Sequence, residues 1–375
     1  MSTINVLQFI TPTGFYGAER WILALNNNLD AEKVRSDLVV TTERGKRPEI
    51  LNHFKAGDGQ TFEIEMNARF SMSAIRALVE LIKQRNIDII HSHGYKSDIM
   101  GLVAARMAGI KAISTPHGFG EPADLKLKAF IRLGKFALRF CDRVAPLSEQ
   151  LVDEVKAAGV KQKNIQFIRN AVDLKEVEQY RLKKATHDRA DKKTRIGYIG
   201  QMIPRKKIDH ILNIYNQIWQ ENSDVELQLL GDGQSRAEME ALAEKLPGAE
   251  SIHFLGFRND RLELLSQFDL FVMTSSDEGI PRCLMEAIAM EVPVAAYDIS
   301  GIDQLVMHER TGLLAKYGDQ QTLKKYWLKL LTDKKLAIEL AQQGRKFVNE
   351  RYSGQRMAEE YTDLYQSLAA NEGDR

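Results

Sequence analysis

The sequence predicts an α/β protein made of two Rossmann-like domains, each a parallel sheet covered by helices on both faces. Three observations carry that expectation. Short aliphatic or β-branched runs alternate with longer amphipathic stretches, the alternation occurs twice, and a charged, unpatterned segment separates the two series. At 375 residues the chain has room for two domains, each with its own core.

In the first series the expected strands are residues 5–10, 36–41, 87–91, 111–115, 143–146 and 165–168. Helical periodicity lies between them at 18–29, 73–85, 98–108 and 149–158. Continuous apolar strands alternating with helices imply a parallel sheet buried on both faces. Over residues 173–194 the pattern lapses into the charged run KEVEQYRLKKATHDRADKK, which shows no buried stripe. A second series follows, with strands expected at 195–199, 226–230, 251–254, 270–273 and 294–297. The tail 323–368 reads as helix, and its last part is polar enough not to belong wholly to the second core. The expected organisation is an N-terminal domain over 1–174, a linker over 175–192, a C-terminal domain over 193–355 and a helix over 356–375 that returns to the N-terminal domain. Two such domains imply a cleft, with ligands beyond the carboxyl ends of the strands.

Composition narrows the function. Lys and Arg number 52 against 51 Asp and Glu, with 44% hydrophobic and 27% charged residues. That is an ordinary soluble balance, not that of a disordered chain or a disulfide scaffold. It lacks the basic excess of a dedicated nucleic-acid binder, so no nucleic-acid partner is expected. The two cysteines, Cys141 and Cys283, have no metal-binding spacing, and a reduced cytoplasmic protein is the expectation. The first residues, MSTINVLQFI, suit a buried strand and not a leader, and no window approaches the ~18 uncharged apolar residues of a spanning helix. Any membrane role is therefore expected to be peripheral.

The most informative stretch is TSSDEGIPRCLMEA, residues 274–287, which directly follows an apolar strand. Glu278 and Glu286 stand eight positions apart, with Gly279, Ile280 and Pro281 in the loop and a helix expected from about Arg282. Both carboxylates can then face one ligand across a helix N-terminus. Gly279 permits close backbone approach, and the free N–H groups there favour an anion such as a phosphate. A carboxylate also accepts from two vicinal hydroxyls of a ribose or hexose. Spacing alone equally allows a less specific reading, in which Glu278 complements the helix dipole and Glu286 is a solvated helix residue.

The Glu278–Glu286 stretch, with Gly279, Pro281 and Ala287, resembles the Glu-x7-Glu signature of retaining GT-B glycosyltransferases of family 4. Further resemblances follow in that family's order across nearly the whole chain. The loop from Thr13 to Glu19, with Gly14 and Gly17, resembles its N-terminal glycine loop. His93 in IIHSHG and His117 in STPHG resemble its two histidine-bearing strand ends. Asn170 to Asp173 resembles its Asn-Gly-Val-Asp corner. Gly200 with Arg205 and Lys206, then Leu230-Gly231-Asp232-Gly233 and Phe254-Leu255-Gly256, resemble its C-domain loops. No one of these is decisive; their ordered set is.

The resemblance implies a GT-B fold and transfer of a sugar from a nucleoside diphosphate to an acceptor hydroxyl with retention. It implies that Glu286 holds the ribose and Glu278 the donor-sugar hydroxyls. Backbone groups of Gly279, Ile280 and Pro281 would approach the diphosphate or sugar, and Asp232 with Gly231 would wall the nucleotide. Arg205 and Lys206 would stabilise the leaving pyrophosphate, and His117 would shape the donor's surroundings, with His93 behind it. Gly14, Gly17 and Gly200 would let backbone approach a phosphate or the acceptor. No metal is expected, since the chain has no Asp-x-Asp pair and two cations stand on one loop. Gln201 departs from the family, many of whose members carry Arg there. Taken alone, Arg205-Lys206-Lys207 also fits a solvated basic turn, His117 a packed or capping residue, and Gly14 and Gly17 a tight turn.

The stretch from Leu125 to Phe140, LKLKAFIRLGKFALRF, carries five basic and no acidic residues. Lys128, Arg132, Lys135 and Arg139 form one helical stripe opposite a broad apolar face. This suits an anionic membrane surface equally with a core helix that has a cationic edge. The expected partners are a nucleotide-sugar donor and a lipid-linked or lipopolysaccharide-type acceptor, met at the cytoplasmic face of the membrane. The alternatives are an epimerase or phosphorylase on the same plan, or a non-catalytic nucleotide-sugar or glycan binder.

Overall fold

The computed structural model describes residues 3–12, 14–42, 47–55, 57, 59–66, 71–119, 125–184 and 193–370. The chain divides into two compact units, Met1–Asp173 with Gly354–Arg375, and Leu174–Ser353.

The first unit runs β1 (Ile4–Ile10), α1 (Gly17–Asn26), β2 (Val34–Thr42), α2 (Ile50–His53), β3 (Thr61–Glu65), α3 (Met72–Gln84), β4 (Ile89–His93), α4 (Tyr95–Ala108), β5 (Lys111–Ser114), α5 (Leu125–Ala137), β6 (Arg143–Val144) and α6 (Glu149–Ala157). Its strands pair in parallel in the order β3-β2-β1-β4-β5-β6. Their inward and outward faces are both apolar: β1 contributes Val6 to one side cluster and Leu7 and Phe9 to the other. Local chemistry sets the helix ends. Ser71 and Ser148 cap α3 and α6 by accepting from the N–H of Ala74 (3.3 Å) and Leu151 (3.2 Å). Gly109 ends α4 in the left-handed region, at φ +77°.

The second unit runs α7 (Leu174–Lys184), β7 (Thr194–Ile199), α8 (Ile208–Glu221), β8 (Val225–Leu230), α9 (Arg236–Ala243), β9 (Ile252–Gly256), α10 (Arg261–Ser266), β10 (Leu270–Met273), α11 (Arg282–Ala289), β11 (Val294–Asp298), β12 (Leu313–Lys316), α12 (Gln320–Thr332) and α13 (Lys334–Arg351). Its parallel sheet has the order β12-β11-β10-β7-β8-β9. The final helix, α14 (Gly354–Ala370), belongs to the first unit, where Met357, Tyr361, Leu364, Tyr365 and Leu368 join the cluster around Trp21.

Both sheets share one topology. The first strand is central, the next two lie on one side, and the next three on the other. Strand order therefore reverses between β1 and β4, and again between β7 and β10. Such reversals open a crevice at the carboxyl ends of the adjoining strands.

Several sequence expectations need correction. Residues 165–168 form no strand: Ile165 makes only an isolated bridge to Val144. β3 and β12 were not anticipated. β3 is an edge strand with no fully buried residue, and β12 reads Leu-Leu-Ala-Lys without a β-branched residue. The first part of the expected linker is helix α7. Its Val177 is buried, and its charges are paired: Glu178 with Arg181 (2.7 Å) and Arg345 (2.8 Å), and Glu176 with Arg261 (3.6 Å). A single buried residue among satisfied charges leaves too weak a periodicity to read. Residues 185–192 lie outside the described residues.

Candidate functional site

The second unit's site sits at its strand reversal. After β7 the chain makes a short turn over Pro204–Lys206, and Lys207, in the left-handed region at φ +50°, leads it into α8. After β10 it makes the 274–281 loop. The two are stapled together: Thr274 Oγ1 donates to the carbonyls of Lys206 (3.1 Å) and Lys207 (2.7 Å), and the Ser276 N–H donates to that of Arg205 (2.8 Å).

This stapling brings three of the expected residues into contact. Lys206 donates to Glu278 Oε1, Arg205 lies 3.3 Å from Glu278 Oε2, and Ser275 Oγ donates to Glu278 Oε1 at 2.6 Å. Glu278 is 4% exposed and Lys206 7%, whereas Arg205 is largely open to solvent. Burial pushes the Glu278 carboxyl up, but the Lys206 ammonium and its hydrogen bond, with Ser275 and Arg205, hold it below its usual value. The carboxylate is thus ionised and oriented, with two cations beside it.

Backbone crowding explains the glycines. At Gly231 (φ +131°) a Cβ would lie 1.9 Å from the Gly200 carbonyl oxygen, so β7 and β8 end in bare backbone pressed together. At Gly301 (φ +86°) it would lie 1.6 Å from the Gly279 carbonyl oxygen, so the 299–305 segment supports the Glu278 loop directly. Asp232 is exposed and accepts from the Gly233 N–H at 2.7 Å, with Arg236 3.3 Å away. Pro281 occupies the N-cap position of α11, and Gly279 and Ile280 precede it in the loop.

Glu286 is placed differently from the solvated alternative. It is 2% exposed, and Arg261 meets it bidentately at 2.8 and 3.2 Å while Arg282 donates to Oε1 at 2.9 Å. Burial raises its pKa, yet the two guanidiniums hold it down to about 2. Its partners are these arginines and not the Arg205–Lys206 turn. Sequence reading missed both arginines: Arg282 was detectable as an i,i+4 partner, whereas Arg261 gave no signal. One guanidinium nitrogen of Arg282, Nη1, is buried without a hydrogen-bond acceptor among the described residues.

The first unit's candidate residues also gather at a strand reversal. Gly14 lies between β1 and α1, and Gly17 opens α1, with free space where a Cβ would stand. His93 ends β4, and His117 follows β5. Their rings are 5.3 Å apart, with His93 Nδ1 3.1 Å from His117 Nε2, and Trp21 meets both. Burial drives His117 down to about 3 and His93 well below its usual range, so both are neutral imidazoles. They border a cavity of about 210 Å³ with Gly118, Phe119, and Leu127 and Ile131 of α5. A larger cavity, about 460 Å³, lies against α7, α11 and α13 and includes none of the expected site residues. Asp98, beneath Ser92 and Ser114, is pushed up to about 7 by burial.

The α5 region differs from its expected pattern. Leu125, Leu133, Phe136 and Phe140 are exposed beside Lys128, Arg132 and Arg139 and not opposite them. Lys135 instead turns inward, over the Phe119 ring at 4.1 Å and 3.4 Å from Glu154. No helix among the described residues is long and apolar enough to cross a membrane.

Two family profiles match the chain in tandem: Glycosyltransferase Family 4 over residues 15–176, and Glycosyl transferases group 1 over residues 179–347. Among curated relatives, the N-acetyl-alpha-D-glucosaminyl L-malate synthase of Bacillus anthracis is 26% identical over 305 residues, 79% of each chain. The UDP-Gal:alpha-D-GlcNAc-diphosphoundecaprenol alpha-1,3-galactosyltransferase of Escherichia coli is 26% identical over 313 residues, 80% of each. The structure of HepE of Anabaena with UDP-glucose superposes with a TM-score of 0.79 at 17% identity, covering 97% of this chain and all of the other. The matched halves coincide with two sheets of one topology, and the basic turn and buried glutamate meet where the second sheet reverses. The chain belongs to the glycosyltransferases, with a family 4 first half, a group 1 second half and the GT-B architecture.

Proposed function

We propose that the protein is a retaining, metal-independent glycosyltransferase that moves a hexosyl or N-acetylhexosaminyl group from a UDP-sugar to a hydroxyl of a lipid-linked or lipopolysaccharide-type glycan. The observation that carries this reading is the ionised Glu278 held beside Lys206 and Arg205 at the β7/β10 reversal. An oriented carboxylate can accept from sugar hydroxyls, and the adjoining cations can stabilise charge that develops on a leaving pyrophosphate. Glu286, Asp232, Gly200, Gly231, Gly279, Ile280 and Pro281 would line the nucleotide and diphosphate. His117, with Gly14 and Gly17, would serve the sugar and acceptor. Arg205 and Lys206 would supply beside the diphosphate the positive charge that a divalent ion otherwise brings. Retention follows from attack on the face the pyrophosphate leaves, with the leaving phosphate taking the acceptor's proton, and no side chain is assigned as general base.

The relatives support the choice of donor and acceptor: one is named for UDP-galactose and an undecaprenol-linked acceptor, and a structural neighbour holds UDP-glucose. In metal-free buffer, UDP and UDP-sugars are expected to raise the thermal unfolding midpoint, and GDP- and ADP-sugars to leave it unchanged. Absence of a shift with every nucleotide would remove the donor assignment.

The exposed face of α5, with its apolar side chains beside cations, fits a peripheral contact with an anionic bilayer at the cytoplasmic side. The protein is expected to float with phosphatidylglycerol-containing liposomes and not with neutral ones. Leu133→Glu with Phe136→Glu is expected to abolish flotation without altering the UDP-induced thermal shift. Equal recovery with both lipid types would count against this contact.

A further inference from the structure

An unbroken chain of side-chain hydrogen bonds runs through the first unit and ends at His117. Starting from that ring, His117 Nε2 lies 3.1 Å from His93 Nδ1, and His93 Nε2 lies 2.8 Å from Gln8 Oε1. Gln8 Nε2 donates to the Tyr365 hydroxyl at 3.3 Å, and that hydroxyl lies 2.8 Å from His91 Nδ1. His91 Nε2 then reaches Thr115 Oγ1 at 2.8 Å, and Thr115 meets the Tyr361 hydroxyl at 2.8 Å. Gln8 is on β1, the three histidines are on or just after β4 and β5, and the tyrosines are on α14. Gln8, His91, His93, Tyr361 and Tyr365 are all buried.

We propose that Gln8 and Tyr365 are positioning residues that hold His117 in the tautomer protonated on Nε2, leaving Nδ1 as a bare acceptor for a hydroxyl of the sugar ligand. The direction follows from the chemistry of each link. An amide oxygen can only accept, so His93 Nε2 carries the proton. A neutral ring has one N–H, so His93 Nδ1 is bare, and His117 Nε2 must donate to it. Burial keeps these rings neutral, which removes the doubly protonated form from consideration. His117 Nδ1 then has no partner among the described residues, and the ring borders the first-unit cavity. Tyr365 fixes the amide by accepting from Gln8 Nε2, while its own proton goes to His91 Nδ1. Turning the Gln8 amide over would reverse every step and give His117 the opposite tautomer. The state of His117 therefore reports the orientation of Gln8.

A buried glutamine between Leu7 and Phe9 of β1 costs stability unless both ends of its amide are used. Here both are used, and the side chain connects the C-terminal helix to the ligand-facing histidine. The proposal rests on the reading of this cavity as a sugar subsite, but its test needs neither nucleotide nor sugar, so the two can fail separately.

The experiment is a two-bond proton–nitrogen spectrum of the full chain labelled with 15N-histidine, with His117 assigned from the signals missing in His117→Asn. The expected wild-type result is a protonated-type Nε2 and an unprotonated-type Nδ1. Gln8→Met and Tyr365→Phe are each expected to weaken the preference for Nε2–H about fivefold or more, the equivalent of one neutral hydrogen bond, and to shift both His117 nitrogens toward averaged positions. A wild-type ring protonated on Nδ1 would overturn the proposal, whether or not the variants fold. So would His117 nitrogen signals left unchanged in a folded Gln8→Met protein, because a merely structural glutamine would not set the tautomer.

Discussion

Glu278→Gln is expected to lower sugar transfer about 10²- to 10³-fold, the loss typical when a preorganised electrostatic group is removed from a reacting centre. It should also destabilise the protein. Lys206 is 7% exposed and pairs with this carboxylate, and breaking a buried pair from one side costs about 3–5 kcal/mol. Arg205, a second cation beside the same carboxylate, offers Lys206 no replacement partner. The two effects are separable. Adding Lys206→Met removes the orphaned ammonium, so the double variant is expected to recover much of the stability and none of the activity. Denaturant unfolding and turnover of the nucleotide sugar, measured on both variants, give the comparison. Activity that returned together with stability would make Glu278 a structural residue and nothing more.

The second large effect concerns Glu286 and pH. Its carboxyl is 2% exposed, and Arg261 and Arg282 lower it from 4.5 to about 2. The unfolded state therefore binds the proton more readily between those values. The resulting stabilisation is complete above the unfolded value and disappears as pH falls through the folded one. The shift corresponds to about 3 kcal/mol. Glu286→Gln is expected to lose that amount at neutral pH, with the gap between wild type and variant closing from pH 4.5 toward pH 2. A gap that stayed constant across this window would mean that the ion pairs contribute nothing net. On the proposed reading that Glu286 also holds the ribose, the same variant is expected to lose the UDP-induced thermal shift.

Much of the candidate site was legible in the sequence because its parts are local. The spacing from Glu278 to Glu286 spans one loop and one helical turn, and α11 begins at Arg282, where the sequence placed it. Gly231 could be singled out because Leu230-Gly231-Asp232-Gly233 follows a strand and resembles a loop of the family. The charge pairs were less legible. Arg261 and Glu286 are 25 positions apart, and Lys206 and Glu278 are 72 apart. Neither distance has a periodicity that reveals contact. Only the reversal of strand order between β7 and β10 makes the second pair neighbours.

The sequence by itself determined the α/β class, nearly all of the buried strands, the two-domain plan and the ordered loops that resemble family 4. These properties follow from the period of apolar residues and from backbone constraints, which act over a few residues. Edge strand β3 and helix α7 escaped because each buries too little for its period to show, and β12 because four residues without a β-branched side chain carry little strand signal. The tertiary structure alone decided which charges meet and which histidines join one hydrogen-bond chain. Gln8 and Tyr365 are separated by 357 positions, and they touch because α14 packs on the first unit's core. Hydrogen bonds and ion pairs act over a few ångströms of space, so their partners are chosen by sheet order and helix docking and not by distance along the chain.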